Sequence, residues 1–208
     1  MPTPNINEIL ERLKLLENEL TQTWDQILQE KRELFHYTLK EGRVQFEKSI
    51  KALQKREKTG LLKYLINAHL GHILTAPIIY SLFFPFVMLD LMVSFYQHTC
   101  FRVYGIPLVD RKKYVVIDRQ YLAYLNIIEK INCVYCGYGN GVIEFVREVS
   151  SRTEQYWCPI KHAQRTPDPH HRVHQFIDYG DAEDYHKKLK QLREDIKNLQ
   201  DIKQSITP

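Results

Sequence analysis

Apolar residues change rhythm four times along this chain. From Asn5 to about Thr59 they recur with a heptad step: Ile6, Leu13, Leu20, Ile27 and Leu34 lie seven apart, with Ile9 and Leu16 at the companion position. Thr23 and Glu30 then occupy that position, so the seam is partial. The pattern predicts one long helix that either coils with a partner or packs on its own domain, with Asn5 as N-cap and Glu8 three residues on. From Tyr64 to Leu89 the chain holds no Asp, Glu, Lys or Arg, and after Asp90 it stays uncharged through Phe101. Its most apolar part, Ile73 to Leu89, would measure about 26 Å as a helix, short for a bilayer core of about 30 Å. Pro77 and Pro85 interrupt it, and "FFPF" suggests the bend of a re-entrant hairpin.

Beyond Phe101 the apolar positions become shorter and mixed. "KYVVID" predicts a short strand, and "RQYLAYLNIIEKI" predicts a helix on Leu122, Leu125, Ile128 and Ile131. "RTPDPHHRVHQFIDYGD" predicts an irregular linker. A polar helix opens at Asp181 and carries Leu189, Leu192, Ile196 and Leu199, a second partial heptad able to pair with the first. The expected fold is therefore mainly α. Residues 1–63 form a long helix with a basic C-terminal face, 64–101 an apolar membrane-associated segment, 102–165 a small Cys/His metal-binding module, 166–180 a linker and 181–208 a C-terminal helix.

Charge sharpens the membrane expectation. Lys48, Lys51, Lys55 and Lys58 follow three-, four- and three-residue steps, which places them on one helical face just before the apolar stretch. Arg102, Arg111, Lys112 and Lys113 follow it. Basic residues mark the cytoplasmic side. With both flanks basic, a hairpin or an interfacial helix satisfies the rule and a single span does not; a buried helical core in a soluble cytoplasmic protein is the remaining reading. The N-terminus has no basic start followed by an apolar run, so a non-exported chain in a reducing compartment is expected. At 208 residues, with 44% apolar and 12% aromatic residues, the chain can bury a sizeable core, and its formal charge of +4 says little about nucleic acid. Nucleic-acid binding would leave the apolar stretch without a purpose.

The candidate chemistry lies in "INCVYCGYGNGVIEFVREVSSRTEQYWCPIKHA". Cys133 and Cys136 are spaced to grip one ion, and the glycines at 137, 139 and 141 suit a tight turn. Cys158 precedes a proline that fits a helix start, with His162 one turn on. Together Cys133, Cys136, Cys158 and His162 have the donor types and spacing of a structural zinc site. Cys100 either replaces His162, giving a four-thiolate site fit for zinc or iron, or is a buried free cysteine. A second metal site at His170, His171 and His174 competes with a plain exposed loop. His69, His72, Asp90 and His98 would form a group at the membrane surface if the apolar segment enters lipid.

"CVYCGY" with "WCP" resembles the metal knuckles of rubredoxins, and a knuckle followed by a helix start is similar to treble-clef zinc modules. Over about Ile78 to Ala163, "LDL", "YGIP", "LAYLN" and "RTEQYWCPIKHA" look like a group of uncharacterised bacterial membrane-associated proteins sharing this cysteine set. The resemblance implies a bacterial origin and leaves function open. The expected function is a membrane-associated, metal-binding accessory or scaffold protein on the cytoplasmic side of the bacterial inner membrane. Its terminal helices would mediate self-association or bind a protein partner, and its lysines would meet lipid headgroups. The rival expectation is an iron-containing redox protein or a membrane-surface enzyme using the His69/His72/Asp90/His98 group.

Overall fold

The computed structural model describes residues 6–40 and 43–199, so the Asn5 cap, Gly42 and the tail from residue 200 lie outside the described residues. The chain is mainly helical and divides into two compact units, residues 1–59 with 121–126 and residues 60–120 with 127–208.

In the first unit, α1 (Ile6–Leu34) follows the heptad pattern, but the helix does not run on to Thr59. His36 adopts a left-handed backbone (φ 48°) and turns the chain into a hairpin of β1 (Tyr37–Lys40) and β2 (Arg43–Phe46). Tyr37, Leu39, Val44 and Phe46 alternate with polar residues and share the half-buried face, and the rings of Tyr37 and Phe46 pair at 5.5 Å. α2 (Lys48–Arg56) follows. Its Gln54 side chain accepts a hydrogen bond from the Ala123 backbone N–H at 3.1 Å, tying in the 121–126 segment. Lys48, Lys51 and Lys55 lie exposed on α2, and Lys58 is exposed just beyond it. Ile9, Leu13, Leu16, Leu20, Ile27 and Leu34 of the α1 heptad are exposed.

The second unit begins with α3 (Leu61–Ile66), α4 (Leu70–Ser81) and α5 (Phe83–Tyr96). A π-helical turn over Gln97–Phe101 and the short α6 (Arg102–Tyr104) complete a 35-residue apolar helix from Leu70 to Tyr104. The expected re-entrant hairpin is not formed. Pro85 sits in the first turn of α5, where its missing N–H has no partner to lose, and Pro77 is accommodated inside α4. Gly105, left-handed at φ 71°, ends the helix.

Next to it lies α7 (Ile127–Trp157), a single 31-residue helix. The two run in the same direction: Tyr135 bonds the Ile79 carbonyl, Phe83 meets Tyr138, Tyr96 meets Thr153 and Tyr104 stacks on Tyr156. Between them residues 106–116 return as a strap that is irregular but for a 3₁₀ turn at Arg111–Lys113, and no strand forms at "KYVVID". Two glycines make room for close packing along α7. A Cβ at Gly139 would lie 2.9 Å from the Phe86 ring, and one at Gly141 would lie 2.7 Å from Tyr114 O. The core collects where helix, strap and α7 meet: Phe101, Ile106, Val109, Phe145, Val149 and Ile196.

Ile196 belongs to α8 (Tyr185–Lys197), whose Leu189, Leu192 and Ile196 are buried in this unit. That apolar face is therefore used locally and is not left free for a terminal coiled coil. The 166–180 stretch is also packed. Arg172, Phe176 and Ile177 are buried, and Ile177 exchanges backbone hydrogen bonds with Pro159 and Lys161 at 2.8 Å.

Candidate functional site

Asp90 is the sole acid in the apolar helix, and the fold supplies it with partners from two other elements. Arg111 reaches in from the strap as a bidentate clamp, Nε to Oδ1 at 2.8 Å and Nη2 to Oδ2 at 2.6 Å. Tyr138 of α7 donates its hydroxyl to Oδ2 at 2.9 Å. Two turns on, Gln97 holds the strap again: its Oε1 accepts from Val109 N at 3.0 Å and its Nε2 donates to Val109 O at 3.3 Å. The π-helical turn that begins at Gln97 follows directly. These two polar residues are 7% and 2% exposed, whereas Phe84 and Phe95 on the same helix are 70% and 74% exposed.

The helix is thus inverted relative to a soluble one. At 100° per residue, Asp90, Gln97 and Phe101 share the inward face, and Phe84, Met88, Leu91 and Phe95 share the opposite, outward face. Only 6% of its most apolar eighteen-residue stretch is buried.

A second polar cluster ties the 3₁₀ turn His171–Gln175 to α7. Glu148 Oε1 accepts from Arg152 Nε at 2.8 Å and Arg172 Nη2 at 2.6 Å, with all three residues buried. Burial alone would raise the Glu148 carboxyl. The Arg152 hydrogen bond and the Arg172 charge outweigh it and hold the group below the usual carboxylate range. Arg172 also donates to the Ser151 hydroxyl at 3.2 Å, so the cluster is a structural staple.

The cysteines are not brought into one site. Cys133 and Cys136 sit on α7 and Cys158 just past its end; twenty-five helical residues at 1.5 Å each put Cys133 about 37 Å from Cys158. A tetrahedral zinc needs its donors about 2.0–2.3 Å from one point, and these residues do not fit that requirement. The glycines taken for a turn lie inside the helix, where they admit Phe86 and the strap. His162 lies beyond Cys158, and Cys100, half-buried in the π-helical turn, is a free thiol like the other three. Among the described residues no group of three or more His, Cys, Asp or Glu gathers at metal-binding distance.

The proposed surface group is also dispersed. The His69 ring caps α4 by accepting from Gly71 N at 3.1 Å and lies 5.5 Å from the His72 ring. Asp90 is eighteen residues beyond His72, about 27 Å along the helix. His98 contacts the Ser94 carbonyl at 2.7 Å through Nδ1. Of the linker histidines, His170 contacts Glu154 at 2.8 Å. Sequence reasoning missed Arg111, Tyr138 and Gln97. The available signal was Asp90 itself, because a lone carboxylate in an apolar run needs a cation, and "DRKK" is the first basic cluster able to fold back to it. No protein-family model, no curated protein and no solved structure matches this chain.

Proposed function

We infer that this chain is a membrane-associated accessory or scaffold protein whose apolar helix, Leu70 to Tyr104, is its lipid-contacting element. The observation that carries this reading is the inverted helix: Asp90 and Gln97 turned inward, Phe84, Leu91, Met92 and Phe95 turned outward. Water would penalise that arrangement along the whole outer face, while lipid favours it and requires polar groups to find partners within the protein. The fastening of Asp90 by Arg111 and Tyr138 supports the same view.

The exposed heptad stripe of α1 is suited to self-association or to a helical partner. The exposed lysines at 48, 51, 55 and 58 suit anionic headgroups, each worth on the order of 1 kcal/mol near a charged surface. Flotation of the purified full chain with vesicles of phosphatidylcholine and phosphatidylglycerol tests the reading. Co-flotation is expected, and Leu91→Asp should weaken it about tenfold or more, given roughly 1.5–3 kcal/mol for burying a leucine. A chain that stays at the bottom of the gradient, soluble without detergent, overturns it.

A further inference from the structure

We propose that the apolar helix lies in the plane of the membrane interface, in one leaflet, and does not cross the bilayer. This rests on the membrane reading and fixes the geometry of the same surface. At 1.5 Å per residue the 35-residue helix is about 52 Å long, against about 30 Å of hydrocarbon and 40–45 Å including headgroups. Upright it is too long, and a steep tilt would be needed to fit it.

The strap supplies the independent constraint. Residues 106–116 run along the helix on the face marked by Asp90 and Gln97, and Lys112 and Lys113, both exposed, follow directly after Arg111 at the Asp90 level. Asp90 lies near the middle of the helix, so an upright span would put two lysines at mid-hydrocarbon depth. Each charge there costs on the order of 3 kcal/mol or more.

Laying the helix flat removes the conflict. The outward row of Phe84, Met88, Leu91 and Phe95 then meets acyl chains along its full length, and the strap on the opposite face meets water. Arg102 lies two turns beyond Phe95 and is exposed, placed for its guanidinium to rise to the headgroups. At the same end Tyr104, Tyr156 and Trp157 pack within 5.2–5.3 Å of one another, and Arg193 lies 5.0 Å from the Tyr156 ring. Such amphipathic rings settle at the headgroup level.

The test is a depth profile. Spin labels are placed singly at positions 82 to 95 and at 112 and 113 in a background with all four cysteines replaced by serine, and the full chain is bound to the same vesicles. Relative access to oxygen and to a water-soluble nickel chelate reads the depth. Expected is a 3.6-residue oscillation in which 84, 88, 91 and 95 are equally deep, about 5–10 Å below the headgroup boundary, with 112 and 113 in water. A single rise and fall of depth along the helix, with 112 and 113 buried, overturns the in-plane seat and leaves membrane association standing. Labels that meet no lipid on any face overturn the membrane reading itself.

If the cysteine-free chain does not fold, trypsin added to vesicles carrying the wild-type chain decides the matter. Cleavage on both sides of the helix, at Lys63 and at Lys112 or Lys113, is expected. Protection of either site overturns the proposal.

Discussion

Replacing Arg111 with alanine isolates the contribution of the ion pair that anchors the strap. The change leaves Asp90 with only the Tyr138 hydroxyl among the contacts described above, its side chain 10% exposed. Stripping one partner from a buried pair costs about 3–5 kcal/mol. The Arg111 side chain is 39% exposed, however, so water can enter where the guanidinium leaves. That discount brings the expected loss to about 2–3 kcal/mol, or roughly 30- to 150-fold in the folding equilibrium. In a chain of this size it should lower the melting temperature by about 4–12 °C in detergent. Arg111→Lys keeps the charge but loses the two-pronged geometry and should fall between. Asp90→Asn combined with Arg111→Ala removes both charges and should recover part of the loss, giving a positive coupling in the cycle closed by Asp90→Asn alone. Thermal melts by far-UV circular dichroism in a mild detergent measure all five chains. An Arg111→Ala melt within 1 °C of wild type would refute the assignment of the strap to Asp90.

Gly141→Ala should destabilise the chain by about 1–2 kcal/mol, because the new Cβ meets the strap backbone at 2.7 Å, and an overpacking cost in the upper part of its range, about 2–3 kcal/mol, exceeds the helix-propensity gain of about 1. Gly139→Ala should cost less, since the obstacle is the movable Phe86 ring; comparative melts decide, and a Gly141→Ala chain as stable as wild type removes the close approach. Stability should be full above the usual glutamate range and decline as pH falls through the depressed value of Glu148, because the folded state holds that carboxylate ionised. Urea titrations between pH 7 and 3 follow this, and Glu148→Gln should flatten the decline while costing about 3 kcal/mol at neutral pH; an unchanged pH slope would remove Glu148 from the cause.

The helical periods of α1 and α8 were legible because each writes an apolar row at helical spacing over three or more turns. The hairpin at Tyr37–Phe46 was hidden inside the α1 pattern. Its alternation spans only four residues a strand, too short to outweigh the heptads before it. The cysteine stretch misled for a different reason. Glycine serves equally a sharp turn and a helix that must admit a neighbour's backbone, and spacing alone does not separate the two. What separates them is the strap, which packs against Gly141 only after the chain has doubled back from residues 106–116. The same doubling back carries Arg111 to Asp90, twenty-one residues away, and no local pattern encodes it.

The apolar stretch connects these points. As sequence it reads as a hydrophobic run broken by prolines; in the fold it becomes one helix whose two buried polar residues, Asp90 and Gln97, serve the interior. Asp90 and Gln97 are spaced seven apart, so they fall on one side, and both are spent on the strap. Between Phe84 and Phe95 the opposite side is then left with phenylalanine, methionine and leucine. Substituting a polar residue there, as in Leu91→Asp, should act on lipid binding and little on folding. A polar change at Gln97 should do the reverse, because it breaks the Val109 pairing and leaves the outer face intact. Flotation and melting run on the same two variants therefore read the two faces of one helix separately, and that separation is what the inverted pattern demands.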